Sequence, residues 1–174
     1  MLLYGAANWG KAMRPRALIV SLLLATSSRA LPLDPDSHIV GSRAVAGVHI
    51  ESIAESDGGR LVRMRRAGPG YRFDYSLEFW RGNGGVVVGA TFRRGKCRSG
   101  DADGIQPTDQ AMARATLDFR IGEYLRECPL SRIREAELRR SLDAAWPAFS
   151  ASAGKALAAT NAEAQAIADY GKED

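Results

Sequence analysis

From Tyr71 to Phe79 the chain alternates without a break: Tyr71, Phe73, Tyr75, Leu77 and Phe79 are separated by Arg72, Asp74, Ser76 and Glu78. A strand turns successive side chains to opposite faces, so this period of two gathers five apolar groups on one side. A face so apolar has to be covered by a second layer, which excludes an isolated sheet. The run meets Gly82-Asn83-Gly84-Gly85 and resumes at Val86 to Arg94. Asn-Gly marks a two-residue hairpin turn, because both central residues there need positive φ. With Asn83 and Gly84 central, Phe79 is expected opposite Val88, Leu77 opposite Ala90 and Tyr75 opposite Phe92. On the other face Asp74 then meets Arg93 and Ser76 meets Thr91. Trp80 falls on that polar face, opposite Val87, either under a helix or as part of an aromatic binding surface.

The flanking segments extend the hairpin. Ala46–Ala54 and Arg60–Arg66 surround Ser56-Asp57-Gly58-Gly59, a second turn signal. With Asp57 and Gly58 central, Ile53 faces Val62, Glu55 faces Arg60 and Glu51 faces Met64. Ala67-Gly68-Pro69-Gly70 turns the chain into the central hairpin, giving a four-stranded antiparallel meander. Residues 95–107 read as a loop leaving the sheet. A helix capped by Thr108 or Asp109 then runs to about Glu127, with Met112, Ala115, Phe119 and Gly122 on one face. The alternation of residues 117–121 leaves a fifth strand as the other reading of 115–121. A second helix covers 131–145, Pro147 breaks or kinks it, and the capping-box spacing of Thr160 and Glu163 places a restart near Asn161. Strands first and helices last give an α+β fold: an N-terminal four-stranded meander with two or three helices on one face.

The N-terminus carries a different message. Lys11, Arg14 and Arg16 precede the apolar run Ala17–Ala25, and Ser28-Arg29-Ala30 offers small residues for cleavage. That is the layout of a signal peptide over residues 1–30, whether translation starts at Met1 or Met13. Its apolar run falls short of the ~20 residues that span a bilayer, so membrane contact is expected only through an uncleaved signal. An extended lead-in (31–43), one domain (44–171) and a frayed tail (172–174) follow. The signal holds four of the 24 Lys and Arg and none of the 20 Asp and Glu, so the rest of the chain carries 20 of each. Overall basicity therefore gives no argument for nucleic acid.

Cys97 and Cys128 are the two cysteines. In an oxidising compartment an isolated pair is most simply one disulfide. Asp101-Ala102-Asp103-Gly104 is the nearest approach to a metal site, yet it lacks the third acidic position and the terminal Glu of a calcium loop. An acidic turn before a helix explains Asp101 and Asp103 without a metal. His38 and His49 are the only histidines, and no nucleophile-elbow Gly-x-Ser-x-Gly or phosphate-binding loop is present. Nothing points to a cofactor.

Arg60, Arg63, Arg65 and Arg66 form a basic strand, and residues 31–100 hold 11 basic against 7 acidic groups. Arg63, Arg65 and Trp80 are the candidates for partner binding. The expected function is a secreted or periplasmic, non-enzymatic domain that binds a protein or cell-envelope component. A small envelope hydrolase or metal-dependent enzyme is one alternative, and an assembly role for the Ala-rich C-terminal helices is another. The oligomeric state is open.

Overall fold

The computed structural model describes residues 37–80, 86–101 and 110–170. The signal-peptide segment, Asn83-Gly84, Asp103, the Thr108/Asp109 cap and the C-terminal tail lie outside them. The described residues form an antiparallel sheet of six strands in sequential order, followed by two helices. The strands are β1 (His38–Val45), β2 (Val48–Ala54), β3 (Arg60–Gly68), β4 (Tyr71–Phe79), β5 (Val86–Arg94) and β6 (Cys97–Asp101), and the helices are α1 (Gln110–Glu127) and α2 (Arg132–Tyr170). The class is α+β, as the order of segments implies, with two strands more than the sequence reading gives. Part of the expected lead-in is the edge strand β1, and part of the expected 95–107 loop is β6.

Turn chemistry explains both additions. Val45 pairs with Val48 across Ala46-Gly47, whose φ values of 50° and 74° are both positive, as a two-residue hairpin turn of type I′ demands. Arg94 pairs with Cys97 across Gly95-Lys96, with Gly95 at φ 56°, the first central position where a type II′ turn takes glycine. Neither pair is Asn-Gly, and neither stands between long apolar runs.

Two registers differ from expectation. In the β2–β3 hairpin Asp57 keeps negative φ while Gly58 adopts 85°. The Gly58 amide donates to the Glu55 carbonyl and the Glu55 amide to the Gly59 carbonyl, both at 3.0 Å. This is a three-residue loop closed by a glycine bulge. Ile53 therefore faces Leu61, Ala54 faces Arg60 and Glu51 faces Arg63. In the β4–β5 hairpin Phe79 pairs with Val86, Leu77 with Val88, Tyr75 with Ala90 and Phe73 with Phe92. Asp74 meets Thr91 and Ser76 meets Gly89. This register is displaced by two residues, so every side chain keeps its face.

The apolar face of β4 is the floor of the core. Phe73, Tyr75, Leu77 and Phe79 are buried with Val62 and Met64 of β3 and Val88, Ala90 and Phe92 of β5. Tyr75 donates its hydroxyl to the Ala113 carbonyl of α1 at 2.8 Å, and Tyr124 of α1 donates to the Ala90 carbonyl at 2.9 Å. Phe149 of α2 packs against Tyr75 with ring centroids 5.7 Å apart. Both helices thus cover one face of the sheet. Arg114 of α1 joins them, binding Asp118 and Asp143 and lying 5.4 Å from the Trp146 ring.

The helical reading of residues 115–121 holds, but the buried face is not the expected one. Ala113, Leu117, Ile121 and Tyr124 face the sheet, while Met112 and Phe119 are 42% and 56% exposed. Ser131 immediately precedes α2, and its Oγ accepts from the Arg134 amide and so caps the helix. It then continues through Pro147 without the expected break. Leu138, Leu142, Ala145 and Phe149 are buried around that proline, and their packing outweighs the ~3 kcal/mol a proline costs inside a helix. No restart occurs near Asn161: Thr160 donates its hydroxyl to the Ala156 carbonyl at 2.9 Å within the helix.

Cys97, at the start of β6, and Cys128, just past α1, form a disulfide with Cα atoms 5.8 Å apart. The enclosed loop, a sequence separation of 31, stabilises the fold by roughly 3–4 kcal/mol in the chain-entropy view. Ala46 is the one described non-glycine residue with positive φ, a conformation that costs an L-residue roughly 1–2 kcal/mol. Ala46→Asn is expected to raise the urea midpoint, with a gain of about 0.5–1 kcal/mol. An unchanged or lower midpoint would show that the turn is not strained by its side chain.

Candidate functional site

Two surfaces of the described residues gather chemistry: the sheet face free of both helices, and the cleft between the β1 edge and α2. On the helix-free face, the one-residue difference in the β2–β3 register brings Glu51 opposite Arg63. Arg63 donates to Glu51 Oε2 at 2.7 Å through Nη2, and Arg65 donates to Oε1. Glu51 is only 7% exposed, so a buried carboxylate holds both candidate arginines. On β4, Arg72 binds Asp74 at 2.8 Å, and Asp74 stands opposite Arg65. The expected basic strand is therefore a ladder of paired charges. Arg66, on the core side of β3, binds Glu137 of α2 at 2.6 Å.

Trp80 follows β4 and is 39% exposed. Its indole lies over Gly59, where a Cβ would meet Cδ1 at 3.4 Å. Arg63 is four residues along β3 from Gly59, roughly 13 Å at strand rise. The structure thus brings Arg63 and Arg65 together and sets Trp80 apart at the end of the face, beyond Leu61 and Glu78.

Two carboxyls on this face are shifted in opposite directions. Burial pushes Glu51 up, but the hydrogen bond from Arg63 and the charges of Arg65 and Arg63 outweigh it and hold the group below its ordinary 4.5. Glu78 is half-buried, and burial, with the charge of Asp57 second, holds it above that value.

The cleft has a volume of 450 Å³ and exists because small residues face one another. A bulge between Ile39 and Gly41 breaks the β1 register, and Gly41 lies opposite Ser52, leaving no side chain where β1 would otherwise meet the helix. A Cβ at Gly41 would touch only Ser52, at 3.9 Å. Ala151, Ala156 and Ala159 of α2 form the other wall. Two arginines span from sheet to helix. Arg43 donates to the Ala148 carbonyl and, at 3.4 Å, to Ser152 Oγ; Arg60 binds Glu163.

The other sequence candidates are not assembled. Asp101 ends β6 opposite Ala90, and Asp103 lies outside the described residues. His38 and His49 are exposed on β1 and β2. Among the described residues no group of three or more His, Cys, Asp and Glu is placed to hold a metal, and no helix is long and apolar enough to cross a membrane. Sequence reasoning missed Glu51 as the centre of the arginine pair because it took the wrong turn length. It missed the cleft altogether, although Gly41 and the Ala-rich stretch after Phe149 were the available signals. No protein-family model, curated protein or solved structure matches this chain.

The two carboxyls make the stability of this face testable by pH. Glu51, lowered in the fold, contributes stability that is complete above 4.5 and is lost as pH falls through its lower folded value. Glu78, raised in the fold, opposes folding at neutral pH, and that penalty fades as pH falls below its folded value. Melting temperatures across about pH 3–7 should show Glu51→Gln destabilised at neutral pH, converging on the parent as acid is added. Glu78→Gln should melt higher at neutral pH and lose that gain in acid. Parallel curves for either variant would remove its carboxyl from the balance.

Proposed function

We propose that the chain is exported and acts without catalysis, binding a protein or another cell-envelope component through the helix-free face of its sheet. The observation that carries this reading is Trp80, a large aromatic side chain left partly exposed at the end of a face on which Arg63 and Arg65 are already paired with Glu51. Tryptophan is among the residues that most often anchor a partner, surrounded by polar contacts that exclude water. Arg63 and Arg65, pinned by Glu51, lose little side-chain freedom on docking, and that lowers the cost of association. The Cys97–Cys128 disulfide suits an oxidising compartment, in keeping with the signal-like N-terminus.

A second reading has its own observation. Residues 165–170 of α2 are exposed, and Ile167 and Tyr170 stand out among them at the end of the helix. That apolar pair supports an assembly role through α2.

A photo-crosslinking residue placed at position 80 in the exporting cell, with a control at 170, separates the two. The expected result is an adduct from position 80 to an envelope protein or glycan, abolished when Arg63 and Arg65 are both changed to Ala. Adducts from 170 alone, joining two copies of this chain, would overturn the first reading in favour of the second. No adduct from either position would overturn both.

A further inference from the structure

The cleft between β1 and α2 lies on the helix-covered side of the sheet, opposite the face that carries Arg63 and Arg65. Its two ends are closed by the arginine struts, Arg43 to Ala148 and Ser152, and Arg60 to Glu163. From Ser152 to Glu163 is roughly 16 Å along a helix at 1.5 Å per residue. The wall between the struts is apolar or small: Ile50 from the sheet, and Ala151, Ala156 and Ala159 from the helix. Lys155 lines the same cleft, three residues beyond Ser152 and therefore on the same side of α2.

The charges here are unequal in their commitments. Arg60 is neutralised by Glu163. Arg43 is held by a carbonyl and a hydroxyl, which satisfy donors without cancelling its charge. Lys155 makes no ion pair among the described residues. Around a slot with apolar walls this leaves two uncompensated cations, and Ser52, opposite Gly41 on the helix side of the sheet, adds a further polar group to the lining. A cleft of 450 Å³ falls within the ~300–1,000 Å³ of small-molecule sites. Apolar walls with a few convergent polar groups are also the general composition of such sites.

We propose that this cleft binds an anionic amphiphile: a carboxylate or phosphate head held by Lys155 and Arg43, with a short aliphatic body lying along the alanine wall. The head gains charge-assisted hydrogen bonds, stronger than neutral ones. The body fills space that Gly41 leaves empty, and so removes apolar surface from water on both sides. Neither half suffices by itself. A bare anion leaves the alanine wall wet, and an uncharged chain leaves Lys155 and Arg43 uncompensated beside it.

Isothermal titration of the disulfide-bonded protein with decanoate, decyl phosphate, decanol and inorganic phosphate tests this. Saturable binding is expected for at least one of the two amphiphiles, and which of them binds more tightly identifies the head. Decanol and inorganic phosphate are expected to bind at least about tenfold more weakly, since each forgoes one half of the contact. Lys155→Glu, a change at an exposed position, should weaken the amphiphile by at least about tenfold. Gly41→Leu, whose side chain would enter the open slot, should abolish binding while circular dichroism and melting stay close to the parent. Trp80→Ala should leave binding unchanged, so this site and the proposed docking face can fail separately. The proposal is overturned if no amphiphile saturates, if decanol or inorganic phosphate matches them, or if Lys155→Glu binds as the parent does. A folded Gly41→Leu protein that still binds would overturn it too.

Discussion

Two tyrosine hydroxyls fix where α1 can lie. Tyr75 reaches up from the sheet to a helix carbonyl, and Tyr124 reaches down from the helix to a strand carbonyl. Both side chains are buried, and a buried hydroxyl without an acceptor costs about 1–3 kcal/mol. Sliding or rotating α1 would orphan both at once, so hydrophobic contact supplies the attraction while these two bonds supply the address. Burial also holds Tyr75 above the usual phenol range, keeping its hydroxyl protonated as a donor. With α1 placed, α2 has the remaining half of the sheet, and its Phe149 closes over the same Tyr75 ring.

Strand period was legible in the sequence, turn length much less so, and parity decided which errors mattered. The β4–β5 register is displaced by an even number of residues from the Asn-Gly expectation, so the aromatic face remained the core face. The β2–β3 register is displaced by one. There the error hid the Glu51–Arg63 pairing and left the arginines reading as a free basic strand. The physical reason is local: Asp57 does not take the positive φ that a two-residue turn requires, and Gly58 takes it instead. The edge strands were missed for a related cause. Each is joined by a two-residue turn, and an exposed edge strand such as β1 shows no alternation to read.

In the helices, composition hid the answer. α1 is rich in alanine and arginine and carries apolar residues on more than one side. Counting Met112 and Phe119 into a stripe was as well supported by spacing as counting Leu117, Ile121 and Tyr124. Only the sheet beneath distinguishes them. Pro147 misled in the opposite direction, since a rule about local backbone was overruled by the buried side chains on either side of it. The disulfide alone among the site residues followed directly from the sequence, because two cysteines allow a single intramolecular pairing. The cleft could not be read because it is defined by what is missing: a side chain at Gly41 and bulk along α2.

The bond between Cys97 and Cys128 also makes β6 and α1 two arms of one covalent ring. A fluctuation that lifts α1 has to drag the sheet's far edge with it, which couples their opening to the loss of much of the core. α2 carries no such tether. It joins the ring at the short connection after Cys128 and is otherwise held by side chains, among them the struts from Arg43, Arg60 and Arg66. The end of α1 and the far edge of the sheet are therefore joined covalently, whereas α2 depends on its buried face and on those struts.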